Sequence, residues 1–172
     1  MKIVGCILMF CLFSYMGMYA SGQLERRIRQ LKSLEKAILS MKRELDYRVA
    51  PLAETFLYTA SRTEHPWSHF FEDAGKSLTE GKDNVTGPDE VFSREAAKVR
   101  PFHPWDRDLE VLTGLGKHLG DMDKKMQLMH LSIAEEEICG LLQEAKEEKR
   151  IKGKLYQTLG ICMGILSVIM VM

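Results

Sequence analysis

The sequence predicts an all-α protein: a bundle of five or six helices whose first and last members continue into terminal membrane-spanning helices. Two apolar runs without a charged residue, 3–24 and 155–172, lie at the two ends of the chain. At a rise of about 1.5 Å per residue, each run approaches the roughly 30 Å of a hydrocarbon core. Between them, apolar residues recur every three or four positions and none alternate with a period of two, which favours helices over strands.

The basic residues beside each apolar run all lie on its inner side. They are Arg26, Arg27, Arg29, Lys32, Lys36, Lys42 and Arg43 after the first run, and Lys146, Lys149, Arg150, Lys152 and Lys154 before the second. Lys and Arg near a span favour the cytoplasmic side. We therefore expect transmembrane helices in 1–24 and 155–172 and a cytosolic helical bundle in 25–154. A second interpretation stays open: Ala20 and Ser21 offer a cleavage point, so the first run can also be a signal peptide.

The first helix of the bundle leaves the first apolar run directly. Its apolar positions, spaced three or four apart over three heptads, are Leu24, Ile28, Leu31, Leu34 or Glu35, Ile38, Met41 and Leu45. Such a stripe requires a partner helix. Pro51 predicts the start of a second helix and Pro66 that of a third, because a missing N–H costs nothing at the first helical position. The apolar residues of these helices are Leu52, Phe56, Ala60, Trp67, Phe70, Phe71, Ala74 and Leu78.

The second half of the bundle follows a turn-rich loop at 81–88. A fourth helix is predicted from Asp89 to Val99, and a fifth is predicted to be capped by Asp106 and to end at Gly120. The last helix, capped by Asp121 or Asp123, presents an apolar face made of Met126, Met129, Ile133, Ile138, Leu141 and Leu142. Nearly every residue from Lys146 to Lys154 is charged, so we expect a solvated helical stalk that leads into the second apolar run.

Composition and motifs exclude several function classes. The 24 basic and 24 acidic residues are balanced and interleaved, which argues against a nucleic-acid partner. The four cysteines show no CxxC and no paired spacing, which argues against a disulfide framework. The phosphate-binding and nucleophile motifs GxxxxGK[ST] and GxSxG are absent. We therefore predict no catalytic residues, no cofactor and no metal, and a protein that is not an enzyme.

Three histidines support an alternative from another class, a metal-dependent membrane enzyme. His65 and His69 are four residues apart, and a His-Pro-Trp tripeptide occurs at both His65 and His103. Two histidines on successive turns of one helix can share a metal ion. The simpler interpretation is two helix entrances, each with a proline at its start and a tryptophan packed on the bundle.

The second apolar run contains a stripe of small residues, Gly160 and Gly164, continued on the same face by Ser167. Small residues let membrane helices approach closely. Two partners fit this stripe equally well. One is a second copy of the chain, which would give a homo-oligomer, and the other is the first run, where Gly17 and Ser21 are also four residues apart.

Three spaced motifs run through the chain in order: an acidic–Tyr–x–x–x–Pro–Leu turn, a glycine-rich helix joint and an apolar closing segment. Their positions are Glu44, Tyr47, Pro51, Leu52, Gly116, Leu119, Gly120, Asp123, Gln127 and Gly160. Together with the Arg-rich first helix, they resemble the stage III sporulation protein AB family of endospore-forming bacteria. The resemblance implies a cytosolic helical domain similar to the F-type platform domain of type II secretion and type IV pilus systems.

The resemblance also implies a function. It is that of a non-enzymatic membrane platform, on the mother cell side of the complex that links mother cell and forespore. The implied partners are the membrane, other stage III sporulation proteins and the secretion-type ATPase stage III sporulation protein AA. A platform of a secretion or pilus system outside sporulation is the alternative. We expect the charged face of the first helix and the stalk to be the docking candidates, and the turn at Tyr47 and the joint at Gly116 to fix the shape of the bundle.

Overall fold

The computed structural model describes residues 2–47, 51–80, 87–119, 123–155, 158 and 162. Its helices are α1 (Lys2–Tyr47), α2 (Leu52–Ala60), α3 (Trp67–Glu80), α4 (Pro88–Val99), α5 (Asp106–His118) and α6 (Lys124–Glu148), followed by a π-helical segment, Lys149–Gly153. These described residues contain no strand. The predicted all-α fold with five or six helices is therefore confirmed.

The membrane-spanning helices are the part of the predicted fold that remains an expectation. No helix within the described residues is long and apolar enough to cross a membrane. Most of the second apolar run, including Gly160, Gly164 and Ser167, lies outside the described residues, and so do the side chains of 2–14 in the first run.

The chain divides into two compact units. Unit 1 combines residues 1–29 with 143–172, and unit 2 consists of residues 30–142. Unit 2 therefore contains α2 to α5 whole, the end of α1 and most of α6.

The apolar stripe predicted for the first helix lies in the core of unit 2. Its buried side chains are Leu31, Leu34, Ile38, Met41 and Leu45. In this unit α6 runs antiparallel to α1 and is tied to it by polar contacts. The ammonium of Lys42 lies 2.9 Å from the carboxylate of Glu135, and Lys124 donates a hydrogen bond to the carbonyl of Asp46. These contacts place α6 beside the end of α1.

The core formed by α2, α3 and α4 is aromatic. The ring centre of Phe92 lies 5.2 Å from that of Phe56 and 5.0 Å from that of Phe70, while Phe71 lies 5.1 Å from Phe70. The rings are tilted or edge-on, the arrangement that their quadrupoles favour. All four rings are almost completely buried, so these short helices are held together by packing rather than by their intrinsic propensity.

One of the two predicted helix caps is confirmed and the other is wrong. Asp123 caps α6, because its Oδ1 accepts a hydrogen bond from the N–H of Met126 at 3.2 Å. The prediction for Asp106 was wrong: α5 begins at Asp106 itself, and its N-cap is Trp105, which makes no side-chain capping bond. The carboxylate of Asp106 instead lies 2.6 Å from the guanidinium of Arg100.

The buried face of α6 is narrower than predicted. Ile138, Leu141 and Leu142 are buried as expected, but Met126, Met129 and Ile133 are 39%, 46% and 44% exposed. Their places in the core are taken by Leu131, Ala134 and Ala145. At 100° per residue, the exposed apolar residues and the buried ones lie on opposite sides of the helix. The helix therefore has two apolar faces, whereas the sequence pattern predicts a single one.

Candidate interaction surface

A groove of about 450 Å³ lies at the surface of unit 2, between the end of α1 and α2. We call it the basic groove. The residues that line it are Lys36, Leu39, Ser40, Arg43, Glu44 and Tyr47 of α1, and Tyr58 and Arg62 at the end of α2 and just beyond it.

The helical repeat of α1 explains why these side chains share one face. Lys36, Ser40, Arg43 and Tyr47 are spaced three or four residues apart, which aligns them along one side of a helix. The same repeat turns the apolar stripe of α1 to the opposite side, into the core. The core of unit 2 therefore fixes the direction in which the groove residues point.

The second wall of the groove comes from α2. Its buried face carries Thr55, Phe56 and Thr59, which leaves Tyr58 and Arg62 toward the groove. The guanidinium carbon of Arg62 lies 4.7 Å from the centre of the Tyr58 ring, a cation–π contact. This contact holds the charge of Arg62 beside the groove.

The charge of the groove is predominantly positive. Three cations line it, against the single carboxylate of Glu44. Both Lys36 and Arg43 are exposed, and neither takes part in an ion pair or a side-chain hydrogen bond within the described part of the chain. Tyr47, the last residue of α1, is 90% exposed. The groove thus combines unpaired positive charge with an accessible aromatic ring.

The three histidines of the metal hypothesis do not come together. His65 and His69 lie at the surface with ring centres 5.3 Å apart, but His103 is buried. Both of its ring nitrogens are occupied, Nε2 by Asp108 at 2.9 Å and Nδ1 by Gln30 at 2.8 Å. Within the described residues, no three His, Cys, Asp or Glu side chains are grouped to hold a metal ion.

The buried histidine instead joins distant parts of unit 2. Gln30 of α1 contacts the ring of His103, donates from its amide to the carbonyl of Phe102 at 3.3 Å, and accepts the indole N–H of Trp67 on its own carbonyl at 2.8 Å. The second His-Pro-Trp tripeptide therefore lies at a packed junction, but its buried residue is His103, whereas Trp105, which the simpler interpretation expected to pack, is half-buried. Gln30 and Asp108 had no role in the sequence interpretation, since Gln30 is 73 positions from His103 and neither belongs to a motif.

The motif positions of the helix joint lie at two close contacts. A Cβ atom at Gly116 would lie 2.7 Å from Cβ of Phe92 and 3.2 Å from the carbonyl oxygen of Pro88, so α5 approaches α4 closely only because residue 116 is a glycine. Beyond α5, the side-chain amide of Gln127 donates to the carbonyl of Leu119 at 3.0 Å. Gly120 lies outside the described residues.

The residues of the first motif lie in two places, at the start of α2 and in the basic groove. Pro51 precedes α2, and its carbonyl accepts the N–H of Thr55 at 3.2 Å; Leu52 is the first residue of that helix. Glu44 and Tyr47 line the basic groove. The expectation that Tyr47 fixes the shape of the bundle finds no packing contact to support it, because its side chain is almost completely exposed.

Unit 1 contains a second charged region, where the charged end of α6 lies beside α1. Arg27 pairs with Glu148 at 3.3 Å, and Glu25 pairs with Lys149 at 3.3 Å. These pairs show that the two helical segments run antiparallel in this unit.

The prediction of a solvated stalk at 146–154 is therefore correct only for the outer face of this segment. Gly153 is buried, and a Cβ atom there would lie 3.6 Å from Oγ of Ser21. The regular α-helix also ends at Glu148 and continues as a π-helical segment. On the outer face, a hydrogen bond from Arg150 lowers the pKa of Glu147. Much of the stalk's charge is thus engaged within unit 1.

The fold and its surfaces define a helical-bundle protein whose described residues form a charged groove and no assembled metal site. The chain belongs to the Stage III sporulation protein AB family, whose sequence profile matches residues 2–172. It is 23% identical over 178 residues to Stage III sporulation protein AB of Bacillus subtilis (strain 168), covering 100% of this chain and 99% of that protein.

A solved structure has a similar fold. The structure of a Stage III sporulation protein AB matches with a TM-score of 0.59 at 22% sequence identity, covering 72% of this chain and 96% of that chain. The family expected from the three motifs is therefore confirmed. The names of these relatives identify a sporulation protein and describe no enzymatic activity.

Proposed function

We propose that this protein is a non-enzymatic membrane platform of the complex that links mother cell and forespore during sporulation, and that it docks a cytosolic secretion-type ATPase, stage III sporulation protein AA. Family membership supports a role in a sporulation complex and favours it over a secretion or pilus platform outside sporulation. The observation that carries the docking role is the charged face of α1, where Lys32, Lys36 and Arg43 are exposed to solvent.

The membrane part of this proposal rests on the charge pattern of the sequence. Apolar helices in 1–24 and 155–172 anchor the chain in the mother cell membrane, and 25–154 form the cytosolic domain between them. The inner flanks of both runs are basic, so both anchors place the same domain in the cytosol. The small residues Gly160, Gly164 and Ser167 then pack the second anchor against the first or against a second copy.

The mechanical role follows from two anchors that continue into one central domain. A platform must transmit force from its ATPase without unfolding. The aromatic core and the buried polar junction at His103 oppose local opening, because local stability follows buried contacts. Force applied by the ATPase then reaches the membrane along the chain, and from there other stage III sporulation proteins.

Reporter fusions test the topology. Fusions at each terminus and near Lys82 are expected to place Lys82 in the cytosol and to retain residues 3–24 in the mature chain. A central domain outside the cytosol, or an N-terminus cleaved after Ser21, would contradict the two-anchor arrangement.

A binding measurement tests the docking. The full-length chain in nanodiscs of phosphatidylcholine is expected to bind the ATPase from the same organism at micromolar concentration or below. No binding at micromolar concentration would overturn the docking role. Metal analysis of the purified full-length chain is the control for the enzyme alternative, and the proposal expects no bound zinc.

A further inference from the structure

The basic groove has the charge and the side-chain chemistry to receive an acidic polypeptide. We propose that it is the docking site for an acidic segment of the cytosolic ATPase, whose carboxylates pair with Lys36 and Arg43 while the segment packs on Tyr47. This inference rests on the proposed function, since it names the surface through which the platform holds that partner.

The cations that line the groove lack a carboxylate partner in the part of the chain that the structure describes. Lys42 pairs with Glu135 and Lys98 pairs with Glu95. Lys32 and Lys125 are likewise exposed and unpaired there, but they do not line the groove. Lys36 and Arg43 lie on the same helix as Lys42, yet within the described residues they pair with no carboxylate. A partner that supplies carboxylates would complete these pairs, and complementary charge across an interface favours fast association and fixes register.

The groove also has an aromatic part. A tyrosine ring that is 90% exposed can bury a large apolar area on binding, and tyrosine is enriched among the residues that dominate interface energies. Tyr58 on the other wall is already held against Arg62. The two rings therefore offer apolar contact on both sides of the positive charge.

The shape of the groove favours a polypeptide over an anionic membrane surface. A recessed groove of about 450 Å³ suits a helix or loop that enters it better than a flat bilayer surface.

The test compares two charge reversals of equal size in the full-length chain. In the groove variant, Lys36→Glu is combined with Arg43→Glu. In the control variant, Lys32→Glu is combined with Lys125→Glu, which alters two exposed lysines outside the groove. Each protein, in phosphatidylcholine nanodiscs, is titrated with the ATPase at two salt concentrations, and its unfolding midpoint is measured.

The groove variant is expected to lose about tenfold or more in affinity, and the control less than threefold, with wild-type binding weakened by salt. Equal losses in both variants would overturn the inference, because they indicate general attraction to a basic protein. Unchanged binding by the groove variant would overturn it as well, and would leave the proposed function intact. If the wild-type chain itself does not bind, the proposed function fails and the inference fails with it.

Two further arms cover misfolding and the membrane alternative. Tyr47→Ala truncates a side chain that lies outside the core, so it is expected to weaken ATPase binding severalfold without shifting the unfolding midpoint. Unchanged affinity of this variant would contradict the packing role of Tyr47.

The membrane alternative is tested by binding to lipid vesicles. The wild-type chain is expected to show no groove-dependent preference for vesicles that contain phosphatidylglycerol over phosphatidylcholine vesicles. If it shows that preference, and the groove variant loses the preference but still binds the ATPase, the groove is a lipid site and the inference is overturned.

Discussion

The imidazole Nε2 of His103 lies 2.9 Å from Oδ2 of Asp108, and neither side chain has any exposure to solvent. On the other side of the ring, Nδ1 faces the side-chain oxygen of Gln30. The ring thus connects the start of α5 to α1 through two hydrogen bonds in a dry environment, where an unpaired polar group is costly.

Removing the carboxylate of Asp108 is expected to destabilise the protein. Asp108→Ala leaves a ring nitrogen of His103 buried without its partner, which costs about 1–3 kcal/mol. The matched control is Asp106→Ala, which breaks an ion pair between two exposed side chains and is expected to cost less than about 1 kcal/mol. Urea unfolding of both variants measures the difference, and equal losses would contradict the structural role of the pair.

Two glycines of α5 are expected to respond to alanine with opposite signs. Gly116→Ala places a Cβ atom 2.7 Å from Cβ of Phe92 and is expected to destabilise by about 1–3 kcal/mol, the usual effect of overpacking. A Cβ atom at Gly114 meets nothing within 4 Å, so Gly114→Ala is expected to stabilise by roughly 0.5–1 kcal/mol through its helix propensity. Shifts of the same sign in thermal unfolding would show that α4 and α5 do not approach closely at Gly116.

The helix pair of unit 1 predicts a specific cross-link. In a chain whose native cysteines are replaced by serine, Ser21→Cys with Gly153→Cys is expected to form a disulfide under mild oxidation. The reason is that a Cβ atom at 153 would lie 3.6 Å from the side-chain oxygen of Ser21, so the two side chains would meet, and a disulfide requires such close approach. The control pairs Ser21→Cys with Lys154→Cys at the exposed neighbouring position. Equal cross-linking of both pairs, measured by gel mobility after protease cleavage of the intervening chain, would argue against this pairing.

Lys98 predicts a loss of stability at high pH. A hydrogen bond to Glu95 raises the pKa of Lys98 above its ordinary value of 10.5, against an opposing effect of burial and with help from the charges of Glu95 and Asp73. A raised pKa means that the folded state binds this proton more tightly, so the contribution is fully present below the unfolded pKa and is lost as pH rises through the folded one.

Lys98→Met removes this contribution. The variant is expected to be less stable than the wild type near pH 8, and the gap between them should shrink above the ordinary lysine pKa. Chemical unfolding of both proteins at several pH values measures that gap. A gap that stays constant up to about pH 11.5, where lysines titrate, would show that the ion pair with Glu95 does not stabilise the fold.

The sequence was sufficient for features that depend on local periodicity. The stripe from Leu31 to Leu45 repeats over successive heptads, so its burial and its need for a partner helix could be predicted. Family membership could also be predicted, because the motifs around Pro51 and Gly116 keep their order and spacing.

Features that depend on which helices meet could not be predicted in the same way. Tyr58 and Arg62 line the groove only because α2 packs beside the end of α1; their spacing of one helical turn is a signal, but a weak one. The exposed side of α6 at Met129 was misassigned because apolar residues on two opposite faces look like one broad face. The ion pair of Arg27 with Glu148 joins positions 121 apart, and charge content alone indicated only solvation.

The central claim is that the groove at the end of α1 holds the ATPase, and site-specific photo-cross-linking in sporulating cells tests it most directly. A photoreactive phenylalanine replaces Tyr47 in one strain and the exposed Lys125 in the other. An adduct with the ATPase, identified by mass spectrometry, is expected from position 47 and not from position 125. Position 47 without an ATPase adduct, or equal adducts from both positions, would contradict the central claim.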